Sequence, residues 1–72
     1  MSVIVYSQPA CVQCVATYKA LEQKGIKFQI VDLTLDDEAM QRVRNLGYKQ
    51  VPVVIAGDDH WSGFRPDKIG SL

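Results

Sequence analysis

Residues 3–14 have the sequence VIVYSQPACVQC, an apolar run followed by a short polar loop and two cysteines separated by two residues. The apolar run 3–6 predicts a strand that is buried on both faces, because such strands are apolar without interruption. Apolar residues then recur at helical spacing over 12–24, and Gly25 is a natural stop for that helix. The sequence therefore predicts strand, loop and helix, with the two cysteines where the helix begins.

The position of the cysteines indicates their chemistry. Unpaired backbone N–H groups give a helix N-terminus a partial positive charge, which stabilises an anion placed there. In a Cys-x-x-Cys at such a position, the pKa of the first thiol is commonly lowered from its free value of about 8.5. Cys11 then has nucleophilic character at neutral pH, and Cys14 is near enough to form a disulfide with it. The pair predicts dithiol–disulfide exchange.

Two other uses of the cysteine pair are less favoured. A structural zinc site normally has four ligands, and His60 is the only further soft ligand in the chain. A purely structural disulfide across so short a loop would constrain little of the unfolded chain. A metal- or iron–sulfur-binding module that uses Cys11 and Cys14, for example in a dimer, stays open as a third class of function.

Length and composition indicate a small globular protein. The 72 residues allow one domain, 1–72, with an ordinary apolar fraction of 47% and charged fraction of 22%. Eight basic and eight acidic residues balance without a basic cluster, which argues against nucleic acid or an anionic membrane as partner. Because neither a signal peptide nor an apolar span of ~20 residues is evident, we expect a cytoplasmic protein. Disulfides in that compartment are usually transient and catalytic, so the resting form should be the dithiol.

The rest of the chain predicts a mixed sheet. A capping box formed by Thr34 and Asp37 should open the second helix, and Gly57 lies in a hairpin turn. The further predicted elements are strands at 28–33, 51–55 and 60–62 and helices at 34–46 and 67–71. The resulting order is β-α-β-α-β-β-α. Since a βαβ unit gives parallel strands and a hairpin antiparallel ones, an α/β fold with a four-stranded mixed sheet and helices on both faces is expected.

This pattern, with Cys-x-x-Cys at the first helix and Val51-Pro52 at the third strand, resembles the minimal, glutaredoxin-like form of the thioredoxin fold. Three segments are similar in particular to the NrdH-redoxins: CVQC at 11–14, GYKQVPVV at 47–54 and WSGFRPD at 61–67. The resemblance covers nearly the whole chain. Cys-x-x-Cys alone occurs in many folds, and the WSGFRP block is what makes the likeness specific.

The resemblance implies a function as well as a fold. NrdH-redoxins carry electrons from NADPH-dependent thioredoxin reductase to the large subunit of class Ib ribonucleotide reductase. A member of that family is expected to be a monomer and a thiol–disulfide oxidoreductase with no bound cofactor besides its redox-active disulfide. The implied mechanism uses Cys11 as the attacking thiolate and Cys14 as the thiol that resolves the mixed disulfide.

The resemblance also implies a surface for partners around Pro52, whose matching proline is cis in the thioredoxin fold and lies against the disulfide. The alternative is a trans proline that begins an edge strand. With a cis bond, the N–H and C=O of Val51 could pair with an extended segment of the partner. The residues expected at this surface are Val12, Gln13, Gln50, Val51, Pro52, Trp61, Ser62, Gly63 and Phe64. Solvation of Gln50, and packing of Trp61 and Phe64 against the last helix, are the alternatives for those three residues.

One segment departs from glutaredoxins. Their loop before the last helix supports glutathione binding, typically with Gly-Gly and an acidic residue, and here residues 62–67 are SGFRPD. The departure argues for a protein reductant, with a glutathione-dependent glutaredoxin as the alternative. Ser62 and Asp67 are expected to cap the last helix, and Arg65 to pair with a carboxylate.

Overall fold

A computed structural model describes residues 2–72 of the chain, and its elements follow the predicted order. They are β1 (Val3–Ser7), α1 (Val12–Gln23), β2 (Gln29–Asp32), α2 (Asp37–Asn45), β3 (Val53–Ala56), β4 (Asp59–Ser62) and α3 (Pro66–Gly70). Most boundaries lie within one or two residues of the prediction. The third strand begins at Val53 instead of 51, because Pro52 has no N–H to donate to a strand ladder and belongs to the preceding loop.

The four strands form one mixed sheet in the order β2-β1-β3-β4. β1 is parallel to β2 and antiparallel to β3, and β3 pairs antiparallel with β4. The predicted mixed sheet is therefore confirmed. Ser7 and Asp32 are paired at the carboxyl ends of β1 and β2. The loop with the cysteines follows β1 and therefore begins at this end of the sheet.

Side chains of the central strands alternate between two cores. On one face, Val3 and Val5 pack with residues of α1 and α3, including Leu21 and Ile69. On the other face, Tyr6 packs with Ala39 and Val43 of α2. This alternation follows from the two-residue period of a strand, and it confirms the prediction of helices on both faces of the sheet.

The start of α2 differs from the predicted capping box. The N-cap is Asp36, whose Oδ1 accepts a hydrogen bond from the N–H of Ala39 at 3.0 Å. Thr34 instead donates its N–H and Oγ1 to Oδ1 of Asp32, at 2.8 and 2.6 Å. The prediction of a Thr34–Asp37 box is wrong, because Asp32 holds Thr34 in a turn and Asp36 supplies an equally preferred cap.

The predicted side-chain caps of the last helix are also wrong. The N-cap of α3 is Arg65, which makes no capping hydrogen bond through its side chain. Ser62 Oγ donates to the carbonyl of Gln50 at 3.1 Å. The carboxylate of Asp67 accepts two hydrogen bonds from Arg65, at 3.1 and 2.9 Å, which confirms the predicted pairing of Arg65. The hydrogen bond from Arg65 lowers the pKa of Asp67.

No helix within residues 2–72 is long and apolar enough to cross a membrane.

Candidate redox site

Cys11 and Cys14 form a disulfide at the start of α1, with their Cα atoms 5.2 Å apart. Cys11 is the N-cap of the helix, and its Sγ accepts a hydrogen bond from the backbone N–H of Cys14 at 3.1 Å. The two sulfur-bearing residues differ in burial, since Cys14 is 1% exposed and Cys11 is only partly covered. An external disulfide can therefore reach Cys11 before it can reach Cys14.

The loop before the cysteines turns the chain from β1 into α1. Ala10 lies in the left-handed region of backbone conformation, with φ of 59°. A non-glycine residue there costs on the order of 1 kcal/mol or more and is typical of functional loops. This turn places Cys11 at the N-terminus of α1, where its side chain acts as the N-cap.

The second segment of the site is the loop that contains Pro52. The Val51–Pro52 peptide bond is cis, as the resemblance implied. Pro52 is buried, and Val51 is half-buried. The backbone N–H and C=O of Val51 make no hydrogen bond to another of residues 2–72. Both groups are thus available to a bound chain, whereas the C=O of Pro52 is taken by Gly63 N–H at 2.8 Å.

The third segment, the loop between β4 and α3, is tied to the first two. Gln13 Oε1 accepts a hydrogen bond from the N–H of Phe64 at 3.2 Å. Ser62 Oγ reaches the carbonyl of Gln50, and Gly63 reaches that of Pro52. Gly63 has φ of 85°, so glycine is favoured there by backbone conformation. Together these bonds fix the three segments relative to one another.

The predicted partner residues divide into two groups. Val12, between the cysteines, is 84% exposed, and Phe64 is 38% exposed. Gln50 is exposed as well. Trp61, by contrast, is 3% exposed and belongs to the core that includes Ile69. The expectation that Trp61 lies at the partner surface is corrected, since the strand period of β4 turns its side chain toward α1 and α3.

A groove of about 560 Å³ runs beside Cys11. Five of its lining residues were expected from the sequence: Cys11, Val12, Gln13, Gln50 and Val51. Sequence reasoning missed the other five, Gln8, Leu33, Met40, Val43 and Lys49. Met40 and Val43 belong to α2, and nothing in the sequence places that helix beside the cysteines. For Lys49, adjacency to Gln50 was the one available signal.

His60, the further soft ligand considered for a metal, hydrogen-bonds with Tyr48, its Nδ1 lying 2.6 Å from the hydroxyl oxygen. Over residues 2–72 there is no group of three or more His, Cys, Asp or Glu side chains arranged to hold a metal ion.

A disulfide at a helix N-terminus, with one sulfur more accessible than the other and a cis-proline loop in the same site, defines a thiol–disulfide oxidoreductase of the thioredoxin fold. Comparisons with known proteins then narrow the class. The family model for glutaredoxin matches residues 3–61. The chain is 47% identical over 72 residues to the glutaredoxin-like protein NrdH of Salmonella typhimurium and 46% identical to that of Escherichia coli. Both alignments cover 100% of this chain and 89% of the relative.

The chain superimposes with a TM-score of 0.97 on the solved structure of NrdH-redoxin from Escherichia coli, a glutaredoxin-like protein with a thioredoxin-like activity profile. It is 46% identical in sequence, and the match covers 100% of this chain and 95% of that one. The chain belongs to the glutaredoxin family and to its NrdH-like members, with Cys11 and Cys14 as the redox-active pair.

Proposed function

We propose that this protein is an electron carrier that reduces protein disulfides, with class Ib ribonucleotide reductase as its acceptor. Its reductant is thioredoxin reductase, which takes the electrons from NADPH. The carrier works in the cytoplasm as a monomer and has no cofactor besides its own disulfide. The observation that carries the proposal is the accessible Cys11 at the N-cap of α1, with the buried Cys14 behind it. The identity of 46% and 47% to NrdH proteins supports the choice of partners.

The reaction begins with the reduced protein. The Cys11 thiolate attacks one sulfur of the partner disulfide, forms a mixed disulfide and expels the partner's other sulfur as a thiolate. Cys14 then loses its proton and attacks Cys11 Sγ, which releases the partner's first sulfur. Two electrons pass to the partner, and the Cys11–Cys14 disulfide is left behind. Exchange of this kind is fastest when the pKa of the attacking thiol lies near ambient pH.

The geometry around Cys11 supports its role as the attacking thiol. Cys14 N–H, which reaches Cys11 Sγ at 3.1 Å, would donate a stronger, charge-assisted bond to a thiolate at that position. The partial positive charge of the 12-residue helix α1 acts in the same direction. The attacking sulfur and its stabilising groups therefore belong to one rigid element.

A docking mode follows from the unpaired backbone of Val51. An extended segment of the partner would add to this loop as a strand does, with backbone hydrogen bonds to the N–H and C=O of Val51. The exposed side chains of Val12 and Phe64 would contribute apolar contact. The backbone hydrogen bonds do not depend on the partner's side chains, which suits a carrier that reacts with both a reductase and an acceptor.

The loop between β4 and α3 favours a protein reductant over glutathione. Two of its backbone donors, the N–H groups of Gly63 and Phe64, are already taken by Pro52 and by Gln13. A small peptide ligand would have to displace these bonds in order to use the same donors, which costs free energy.

The test is a coupled assay with NADPH, thioredoxin reductase and purified class Ib ribonucleotide reductase, without glutathione. We expect NADPH consumption and deoxyribonucleotide formation that depend on this protein and stop in Cys11→Ser. Turnover only with glutathione and glutathione reductase would contradict the proposal and favour a glutaredoxin activity. Iron–sulfur absorption in stoichiometric amount after anaerobic purification would instead favour the metal-binding alternative.

A further inference from the structure

Lys49 carries the only charge among the residues that line the groove beside Cys11 in the described part of the chain. Its side chain is exposed. The two ion pairs within residues 2–72, Arg65–Asp67 and Lys68–Asp59, do not involve it. The groove therefore presents one cation that no acidic group of residues 2–72 pairs with.

The backbone that carries Lys49 is fixed on both sides. Tyr48 donates its N–H to the carbonyl of Val43 at 3.3 Å, and its hydroxyl pairs with His60 of β4. The carbonyl of Gln50 accepts from Ser62 Oγ. Lys49 lies between these anchors, so its backbone is held beside the groove while its exposed side chain is free to contact a ligand.

The rest of the groove is uncharged and mixes polar with apolar side chains, the polar ones being Gln8, Gln13 and Gln50. Met40 and Val51 are half-buried and contribute apolar surface, with the buried Leu33 and Val43 behind them. Val51 also offers an unpaired backbone N–H and C=O. An occupant that matches these features is an extended segment with an apolar side chain for the groove and a negative side chain for its rim.

We propose that Lys49 selects oxidised protein segments that carry an acidic residue close to their disulfide. The inference rests on the proposed function insofar as the substrate is a protein disulfide, and it adds a specificity-determining residue to that site. Because the pair would be exposed, its contribution should be modest, roughly two- to fivefold in rate at low ionic strength. It should vanish near 1 M salt, where the Debye length is about 3 Å.

The experiment uses the pre-reduced full chain in single turnover. Its substrates are disulfide-linked dimers of the peptide acetyl-X-Val-Cys-Val-X-amide, where X is Asp, Asn or Lys. Each rate is divided by the rate of dithiothreitol with the same peptide, which removes the intrinsic effect of charge on the disulfide. The variants are Lys49→Glu and, as matched control, Lys27→Glu. Lys27 is an exposed lysine in a surface pocket with Ser2 and Val3, at the opposite end of the sheet from the cysteines.

We expect the wild type and Lys27→Glu to prefer the Asp peptide over the Lys peptide by roughly two- to fivefold at low salt, and Lys49→Glu to reverse that order. The same order in Lys49→Glu as in the control, or a preference that survives 1 M salt, overturns the inference. The assay contains neither reductase nor ribonucleotide reductase. A failure of the peptide preference therefore leaves the proposed function standing, and a failure of the coupled assay leaves the role of Lys49 standing.

Discussion

The two cysteines are chemically identical residues that the structure places in different surroundings. Cys11 caps α1 at the groove, while Cys14 is 1% exposed, on the buried side of the same helix. In the proposed mechanism the sulfur of Cys11 is the one that attacks the partner. The sulfur of Cys14 would then attack the mixed disulfide.

A substitution in each cysteine separates these roles. We expect Cys14→Ser to accumulate a mixed disulfide with an oxidised protein substrate, because the resolving thiol is missing, and Cys11→Ser to form none. The measurement is non-reducing electrophoresis followed by mass spectrometry of the trapped species. Equal trapping by both variants would contradict the assignment.

For Trp61 the sequence left partner contact and packing against the last helix open, and its burial favours packing. We expect Trp61→Ala to lower the free energy of unfolding by about 3–5 kcal/mol, as for other large aromatic side chains in a core. Trp61→Phe should cost clearly less, because Nε1 of Trp61 has no hydrogen-bond partner within residues 2–72 and its loss leaves no donor unpaired. Urea unfolding of the oxidised proteins measures both.

Phe64→Ala is the control for Trp61→Ala, since Phe64 is an aromatic residue only three positions further along the chain but is 38% exposed. It should destabilise the protein much less than Trp61→Ala. If the two alanine variants were equally destabilised, Trp61 would not have the core role assigned to it.

At the scale of elements, α2 is a test of which residue begins a helix. Asp36→Ala should cost about 1 kcal/mol of stability, because it removes the side-chain acceptor of Ala39 N–H and a negative charge at the helix N-terminus. Thr34→Ala should cost less, since Thr34 lies in the turn that precedes the helix. Thermal unfolding of both variants measures the stability that each one loses. A larger loss of stability in Thr34→Ala than in Asp36→Ala would support the Thr34–Asp37 capping box that the sequence predicts.

The sequence predicted the elements better than their ends. The buried positions of α1, Cys14, Thr17 and Leu21, have the helical spacing that the sequence displays. A cap, however, depends on competition between neighbouring polar side chains. Thr34 does not cap α2 because it donates its N–H to the carboxylate of Asp32. Ser62 does not cap α3 because its hydroxyl donates to the carbonyl of Gln50. Such competition is decided by backbone direction, which periodicity does not specify.

For the whole molecule, stability comes from two apolar cores, one on each face of the sheet. The disulfide closes a loop with a sequence separation of only 3. On the chain-entropy model so short a loop contributes about 2 kcal/mol at most. We therefore expect the dithiol form to stay folded and to unfold cooperatively, within about 2 kcal/mol of the oxidised form. Circular dichroism melts with and without dithiothreitol measure this, and loss of structure on reduction would contradict it.

The sequence by itself determined the order of elements, the place of the cysteines at a helix start and the proline loop, because periodicity, turn residues and family motifs act over short stretches of chain. Only the tertiary structure decided that Leu33, Met40, Val43 and Lys49 share a groove with Cys11, that Gln13 holds Phe64, and that Trp61 is buried. Residues far apart in the sequence meet only through the crossing of helices over a particular face of the sheet. That packing depends on the whole set of buried side chains, and no local pattern in the chain encodes it.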